Sequence, residues 1–239
     1  GSSNTDGSIN TTYTSASVSA GFSISSYTGT GSNATVGHGL GVAPKMIIVK
    51  NRGGTQGWGV YNASLGNTKY LQLNDTAAEG TASTFWNNTT PTNQVFSIGT
   101  SGWMNDSGNN YIAYCFAEKK GFSKFDSYGG SGDANGPMVY TGFKPAWIML
   151  KESSGTSDWS MYDNKREPFN VADSTLEANT SDAEAVVSGR SIDILSNGFK
   201  LRGDSSYTNE SGATYIYMAF AENPFVATSG STAVPVTAR

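Results

Sequence analysis

His38 and Cys115 are the only histidine and the only cysteine among 239 residues, so chemistry that needs an imidazole or a thiolate must run through one of them. A Ser–His–Asp arrangement would use His38 as its base. That residue sits in Gly37-His-Gly-Leu-Gly41, just ahead of a β-branched run, a turn in which the ring is expected to hydrogen-bond backbone groups. Cys115 lies in the apolar run Tyr111-Ile-Ala-Tyr-Cys-Phe-Ala117, where a thiol behaves as a small buried hydrophobe. One cysteine excludes an intrachain disulfide framework, and with one histidine it cannot complete a zinc cage of sulfur and nitrogen ligands. No cofactor and no metal is expected.

Glycoside hydrolysis would need two carboxylates facing each other across a cleft. Glu118 and Glu222 each close a similar apolar run, which points to a shared structural role such as pairing with a strand-end donor. Asp182 and Glu184 fall in a polar surface turn. No catalytic residue is expected, and the chain reads as a non-enzyme.

Binding chemistry rests on aromatic rings, which offer a flat apolar body beside a polar handle. Trp58 and Trp159 share a strand face with Val60 and Met161, so they are expected to point into the core. Trp103 instead lies in the loop Ser101-Gly-Trp-Met-Asn-Asp-Ser-Gly108, and Tyr207 holds the matching place 104 residues later. Trp103, Asn105, Asp106 and Tyr207 are therefore the candidate ligand-binding residues. Arg202-Gly203-Asp204 has the form of an adhesion tripeptide, but turn chemistry explains it. The Asn-x-Ser/Thr triplets at Asn62, Asn74 and Asn209 are expected to mark surface turns.

Composition narrows the elements that can position these groups. Charged residues make up 14% of the chain, against about 25% in ordinary domains, and Ser, Thr and Asn replace them. Helical surfaces favour Glu, Lys, Arg and Gln, whereas turn-rich sheets suit this composition. A net charge of -4 with scattered Lys and Arg does not suit a nucleic-acid partner. No apolar run approaches the ~20 residues that span a bilayer, so no membrane insertion is expected.

An internal repeat organises the rest. Gly21-Phe22-Ser23 returns as Gly121-Phe122-Ser123. Pro44-Lys-Met-Ile-Ile-Val-Lys50 returns 101 residues later as Pro145-Ala-Trp-Ile-Met-Leu-Lys151, and Trp58 and Tyr61 as Trp159 and Tyr162. Tyr111-Ile-Ala-Tyr-Cys-Phe-Ala-Glu118 returns 104 residues later as Tyr215-Ile-Tyr-Met-Ala-Phe-Ala-Glu222. The expected organisation is an N-terminal extended arm over 1–20, repeats over 21–120 and 121–225, and an extended tail over 226–239.

Residues 46–50 and 147–151 read as central strands, each following a proline that marks its start. They lead through glycine- and serine-rich loops into hairpin partners at 57–61 and 158–162. Residues 111–118 and 215–222 are the most apolar strands and are expected at the centre of each sheet. Polar caps at Asn74 and Asn179 suggest one helical turn each. The expected fold is all-β: two duplicated antiparallel β-sandwich units, jelly-roll or lectin-like, closely packed with a pseudo-two-fold relation. Two separate sandwiches or one merged one would both satisfy the pattern.

The stretch Gly21-Phe-Ser-Ile-Ser-Ser-Tyr-Thr-Gly-Thr-Gly31, with His38-Gly-Leu-Gly-Val-Ala-Pro44 feeding a strand, resembles a pattern in tailed-phage tail and fibre proteins. Continued through Ala117-Glu118 and its second occurrence, it resembles a domain of unknown function found in phage structural proteins, marine ones especially. The second copy departs from it, because Tyr140-Thr-Gly-Phe-Lys-Pro145 lacks the histidine. The resemblance implies a virion protein, a surface fibre or capsid-decoration component acting in host attachment on the outside of the particle. Implied partners are other virion proteins, further copies of this chain and host surface glycan. The alternatives are a lectin-like carbohydrate-binding module and, last, a polysaccharide depolymerase fragment.

Overall fold

The computed structural model describes residues 1–223 and, beyond them, the backbone of two short strands, Val226–Ala227 and Val234–Pro235, which pair antiparallel. The rest of the expected tail over 226–239 lies outside the described residues. The chain divides into two compact units, Gly1–Glu118 and Lys119–Arg239.

In the first unit β1 (Tyr13–Ser17), β2 (Phe22–Thr28), β3 (Ala34–Gly37), β4 (Met46–Asn51), β5 (Trp58–Asn62), β6 (Lys69–Gln72) and β7 (Gly80–Thr81) precede the single turn α1 (Ser83–Trp86). β8 (Val95–Ile98), a second turn α2 (Gly102–Asn105) and β9 (Asn110–Phe116) follow. Seven strands form one sheet in the order β1-β2-β9-β4-β5-β6-β7, and β3 pairs with β8. Alternation sends Tyr27, Ile47, Val49, Tyr61, Tyr111 and Cys115 to one face. There they pack with Val36, Phe96 and Ile98 of the β3–β8 pair and with Phe85, Trp86 and Met104 of the two helical turns. The unit is thus two unequal β layers around one core.

The second unit contains β10 (Ser123–Gly129), β11 (Met138–Tyr140), β12 (Pro145–Glu152), β13 (Ser160–Asp163), β14 (Ser174–Glu177), β15 (Ala185–Val186), β16 (Ile192–Leu195), β17 (Gly198–Leu201) and β18 (Thr214–Ala221). Its six-stranded sheet runs β10-β18-β12-β13-β14-β15, and β11-β17-β16 forms the facing layer. Ile148, Leu150, Tyr162, Tyr217 and Ala219 meet Val139, Ile192, Phe199 and Leu201 in its core. Pro145 opens β12, and the register shifts immediately after it, as expected of a residue without a ladder donor.

The long apolar strands are central in both sheets: β9 lies between β2 and β4, and β18 between β10 and β12. Both expected hairpins form. Three expectations are corrected. Residues 1–20 are packed onto the sheet, not a free arm: β1 pairs with β2, and buried Ile9 bridges Val36. Hydroxyl contacts from Thr11 to Thr14 and from Thr14 to Ser25, each 2.9 Å, satisfy the polar side chains this buries. No helix forms at Asn74 or Asn179; their side-chain carbonyls accept the N–H groups of Trp58 at 2.7 Å and Trp159 at 2.8 Å. Trp58 also misses the core cluster, which takes Tyr61 from β5, and stacks instead on Tyr114 at 6.3 Å.

Candidate functional site

The candidate binding residues of the first unit fall on α2 and the residue after it. Ser101 precedes the turn, and its hydroxyl accepts the Trp103 N–H at 3.3 Å, as an N-cap should. The turn is closed from beneath by two tyrosines. Tyr27 donates to the Met104 carbonyl at 2.7 Å. Tyr111 donates to the Gly102 carbonyl and accepts the Asp106 N–H, both at 2.7 Å.

Asn105 is fully buried at the centre of this arrangement. Its Oδ1 accepts the Thr30 N–H at 2.7 Å, and its Nδ2 donates to the Ser32 and Gly99 carbonyls at 2.6 and 2.9 Å. Its own carbonyl accepts the Gly31 N–H. Gly31 is at φ 74°, a left-handed conformation that favours glycine. Asn105 therefore ties three chain segments together from inside, which corrects its expected role as a ligand contact.

The second unit carries the same set. Asn209 Oδ1 accepts the Ser131 N–H at 2.8 Å, and its Nδ2 donates to the Asp133 and Gly203 carbonyls at 2.9 and 2.8 Å. Tyr128 donates to the Thr208 carbonyl at 2.7 Å. Tyr215 donates to Ser206 and accepts the Glu210 N–H at 2.9 Å. Ser205 accepts the Tyr207 N–H at 3.3 Å, as Ser101 does for Trp103. Burial holds the Tyr27 and Tyr128 hydroxyls well above the usual tyrosine range and pushes Tyr215 up to about 12. The latches thus stay neutral across the physiological range.

The remaining candidates are partly covered. Trp103 is half-buried, packed on Phe85 at 5.7 Å and against Gly57, where a Cβ would come within 2.6 Å of its ring. Tyr207 is half-buried under the Arg190 guanidinium, 3.4 Å from its ring centre. Asp106 is half-buried, its carboxylate turned back toward Gly102. Edges of Trp103, Asp106 and Tyr207 remain available for contact; their main surroundings are protein.

His38 is buried. Its Nδ1 accepts the Leu40 N–H and its Nε2 meets the Thr92 carbonyl, both at 3.2 Å. Burial lowers its pKa below the usual histidine value, with the Thr92 carbonyl and Asp6 acting the other way. Where the second unit lacks a histidine, the Thr141 hydroxyl contacts the Phe143 N–H in the same turn geometry. Burial pushes the Cys115 thiol up, out of the reactive range. Glu222 pairs with Lys165, and Glu184 with Arg166 at 2.6 Å.

In the Arg202-Gly203-Asp204 turn, Gly203 lies so close to Gly189 that a Cβ would sit 1.8 Å from its carbonyl oxygen, so close packing accounts for the glycine. Asn62 and Asn209 are buried, which corrects their expected placement in surface turns.

The four latch tyrosines were not among the residues singled out for binding. Their signal was present in the sequence: Tyr27 and Tyr128 hold matched places near the start of the two units, as Tyr111 and Tyr215 do near their ends. Only the fold shows that those ends meet, with the rings stacked at 5.2 and 5.1 Å.

Among curated proteins and among solved structures, nothing matches the chain significantly. A family model described as Domain of unknown function (DUF7483) matches residues 1–224, running through both units. The chain belongs to that family.

Proposed function

We propose that this chain is a surface component of a bacteriophage virion, a fibre or decoration protein that presents rigid sheet units in host attachment. We read the two units as tandem copies of one lectin-like sandwich. Their matched order, β2-β9-β4-β5-β6-β7 against β10-β18-β12-β13-β14-β15, supports this reading.

The observation that carries the proposal is the recurrence of the asparagine–tyrosine latch. Both units commit a fully buried asparagine and two tyrosines to fixing one loop, and buried hydrogen-bond networks rigidify the structure that contains them. The enclosed His38 and Cys115 are read as structural, and in this account the chain performs no chemistry. The neutral polar surface suits display outside a cell, and repeated copies would add avidity. The resemblance of residues 21–50 to phage tail and fibre patterns supplies the setting. Partners are then other virion proteins, further copies of this chain and host glycan.

The test is to label purified phage particles with gold-conjugated antibody raised against the chain. Label at fixed positions on head or tail is expected. Particles that lack the protein by both labelling and mass spectrometry would overturn the proposal.

A further inference from the structure

The two units differ most usefully after β5 and β13. Six residues join β5 to β6, whereas ten, 164–173, join β13 to β14. The flanking anchors are the same: Trp58 with Asn74 in one unit, Trp159 with Asn179 in the other. The second unit therefore holds four additional residues inside an otherwise matched frame.

This longer loop is fastened at its base. Glu167 Oε2 accepts the Asp173 and Ser174 N–H groups at 2.6 and 2.8 Å, and Oε1 accepts the Ser174 hydroxyl at 2.9 Å. The Asn170 side chain exchanges two hydrogen bonds with the backbone of Ile194, at 3.1 and 2.9 Å. Arg166 ties the loop to Asp163 and Glu184, each at 2.6 Å. On this fastened loop stands Phe169, 82% exposed and the most exposed large apolar side chain among the described residues. Burying a phenylalanine is worth about 1.5–3 kcal/mol, so a phenylalanine held out on a fixed loop contributes little to the fold and points to a contact outside it.

Beside Phe169 lies a pocket of about 160 Å³ walled by Lys144, Asn164, Glu167, Asn170 and Ile194. Asn164 Oδ1 is enclosed in that wall without a hydrogen-bond partner, an arrangement that costs about 1–3 kcal/mol unless a donor reaches it. Lys144 supplies a donor. The carboxylate of Glu167, which also meets the Asp173 side chain, adds acceptor oxygens to the wall. Lys144 and Lys165 stand among three carboxylates, those of Glu167, Asp173 and Glu222, the last of them paired with Lys165. A flat apolar ring beside an ammonium donor and carboxylate and amide acceptors fits the apolar face and hydroxyls of a sugar ring, and the surplus of carboxylates favours a neutral sugar over an acidic one.

We infer that the Phe169 pocket of the second unit is a binding site for one residue of a neutral saccharide. This inference rests on the proposed role in host attachment and gives that role a specific contact surface. The first unit's shorter loop gives it no counterpart.

The test is saturation-transfer NMR and calorimetry on the full chain with glucose, galactose, mannose and N-acetylglucosamine as probes. Phe169→Ala, Asn164→Ala and Trp103→Ala variants are run alongside. Saturable binding to at least one probe is expected, weakened roughly tenfold by Phe169→Ala, weakened by Asn164→Ala and unchanged by Trp103→Ala. The Phe169 variant should keep the parent's melting temperature, because the ring is exposed. Binding by none of the probes, or binding that both loop variants leave intact, would overturn the site. So would Phe169→Ala abolishing self-association in place of sugar binding, which would make the ring a contact between copies. None of these outcomes alters where gold label falls on the particle, so failure of the site and failure of the attachment role can be told apart.

Discussion

Tyr27 and Tyr111 stack with ring centres 5.2 Å apart and planes 13° from parallel, and their hydroxyls reach two carbonyls of one loop, those of Met104 and Gly102. The pair comes from neighbouring strands, β2 and β9, directly opposite each other in register. Backbone pairing therefore sets the spacing of the two hydroxyls, and the loop takes its shape from the sheet.

Asn105→Ala should destabilise the chain by about 3 kcal/mol, because it leaves several buried backbone groups unpaired. Asn209→Ala should cost a similar amount. Urea denaturation checks both, with Trp103→Ala as a milder comparison. A loss below that of Trp103→Ala would mean that Asn105 is not the centre of the latch.

Adjacent glycines offer a sharper contrast. A Cβ at Gly130 would lie 2.1 Å from the Glu210 carbonyl oxygen, whereas nothing lies within 4 Å of one at Gly129. Gly130→Ala should lose about 1–3 kcal/mol through overpacking against backbone, while Gly129→Ala should be neutral or slightly stabilising. Thermal unfolding of the two variants settles the comparison, and equal melting temperatures would contradict the close approach.

The buried His38 makes stability depend on pH with a defined sign. Its folded pKa is lowered by burial, so the unfolded chain binds the extra proton as pH falls below about 6.5. The contribution is complete above that value and declines below it. His38→Thr, which imitates Thr141 of the second unit, should flatten the slope of stability between about pH 6.5 and 5. Chemical denaturation across that window gives the slope directly, and an unchanged slope would assign the dependence elsewhere.

Cys115 should resist thiol reagents in the native protein and react only on unfolding, since it is buried and its thiol is held protonated. Absorbance after adding a disulfide reagent, with and without denaturant, measures this. Rapid native labelling would contradict the burial.

Strand positions were legible because period-two alternation and the prolines at 44 and 145 are local signals. Which face of β5 meets the core was not legible, because alternation groups Trp58 with Val60 without saying which side is buried. Asn74 and Asn179 looked like helix caps, and their side chains do cap backbone N–H groups, but those of Trp58 and Trp159, 16 and 20 residues earlier. Asn105 looked exposed because its loop is polar; its partners Thr30 and Ser32 lie more than 70 residues away in sequence. The Phe169 loop had a signal in the growing offset between the matched sequence segments, but only the geometry shows the pocket beside it.

The attachment role is tested most directly by competition for the host surface. If the proposed virion role holds, purified chain added to host cells ahead of the phage should slow particle adsorption in a dose-dependent way. Phe169→Ala protein should compete less well. Adsorption that proceeds at its full rate in the presence of saturating chain would contradict the account.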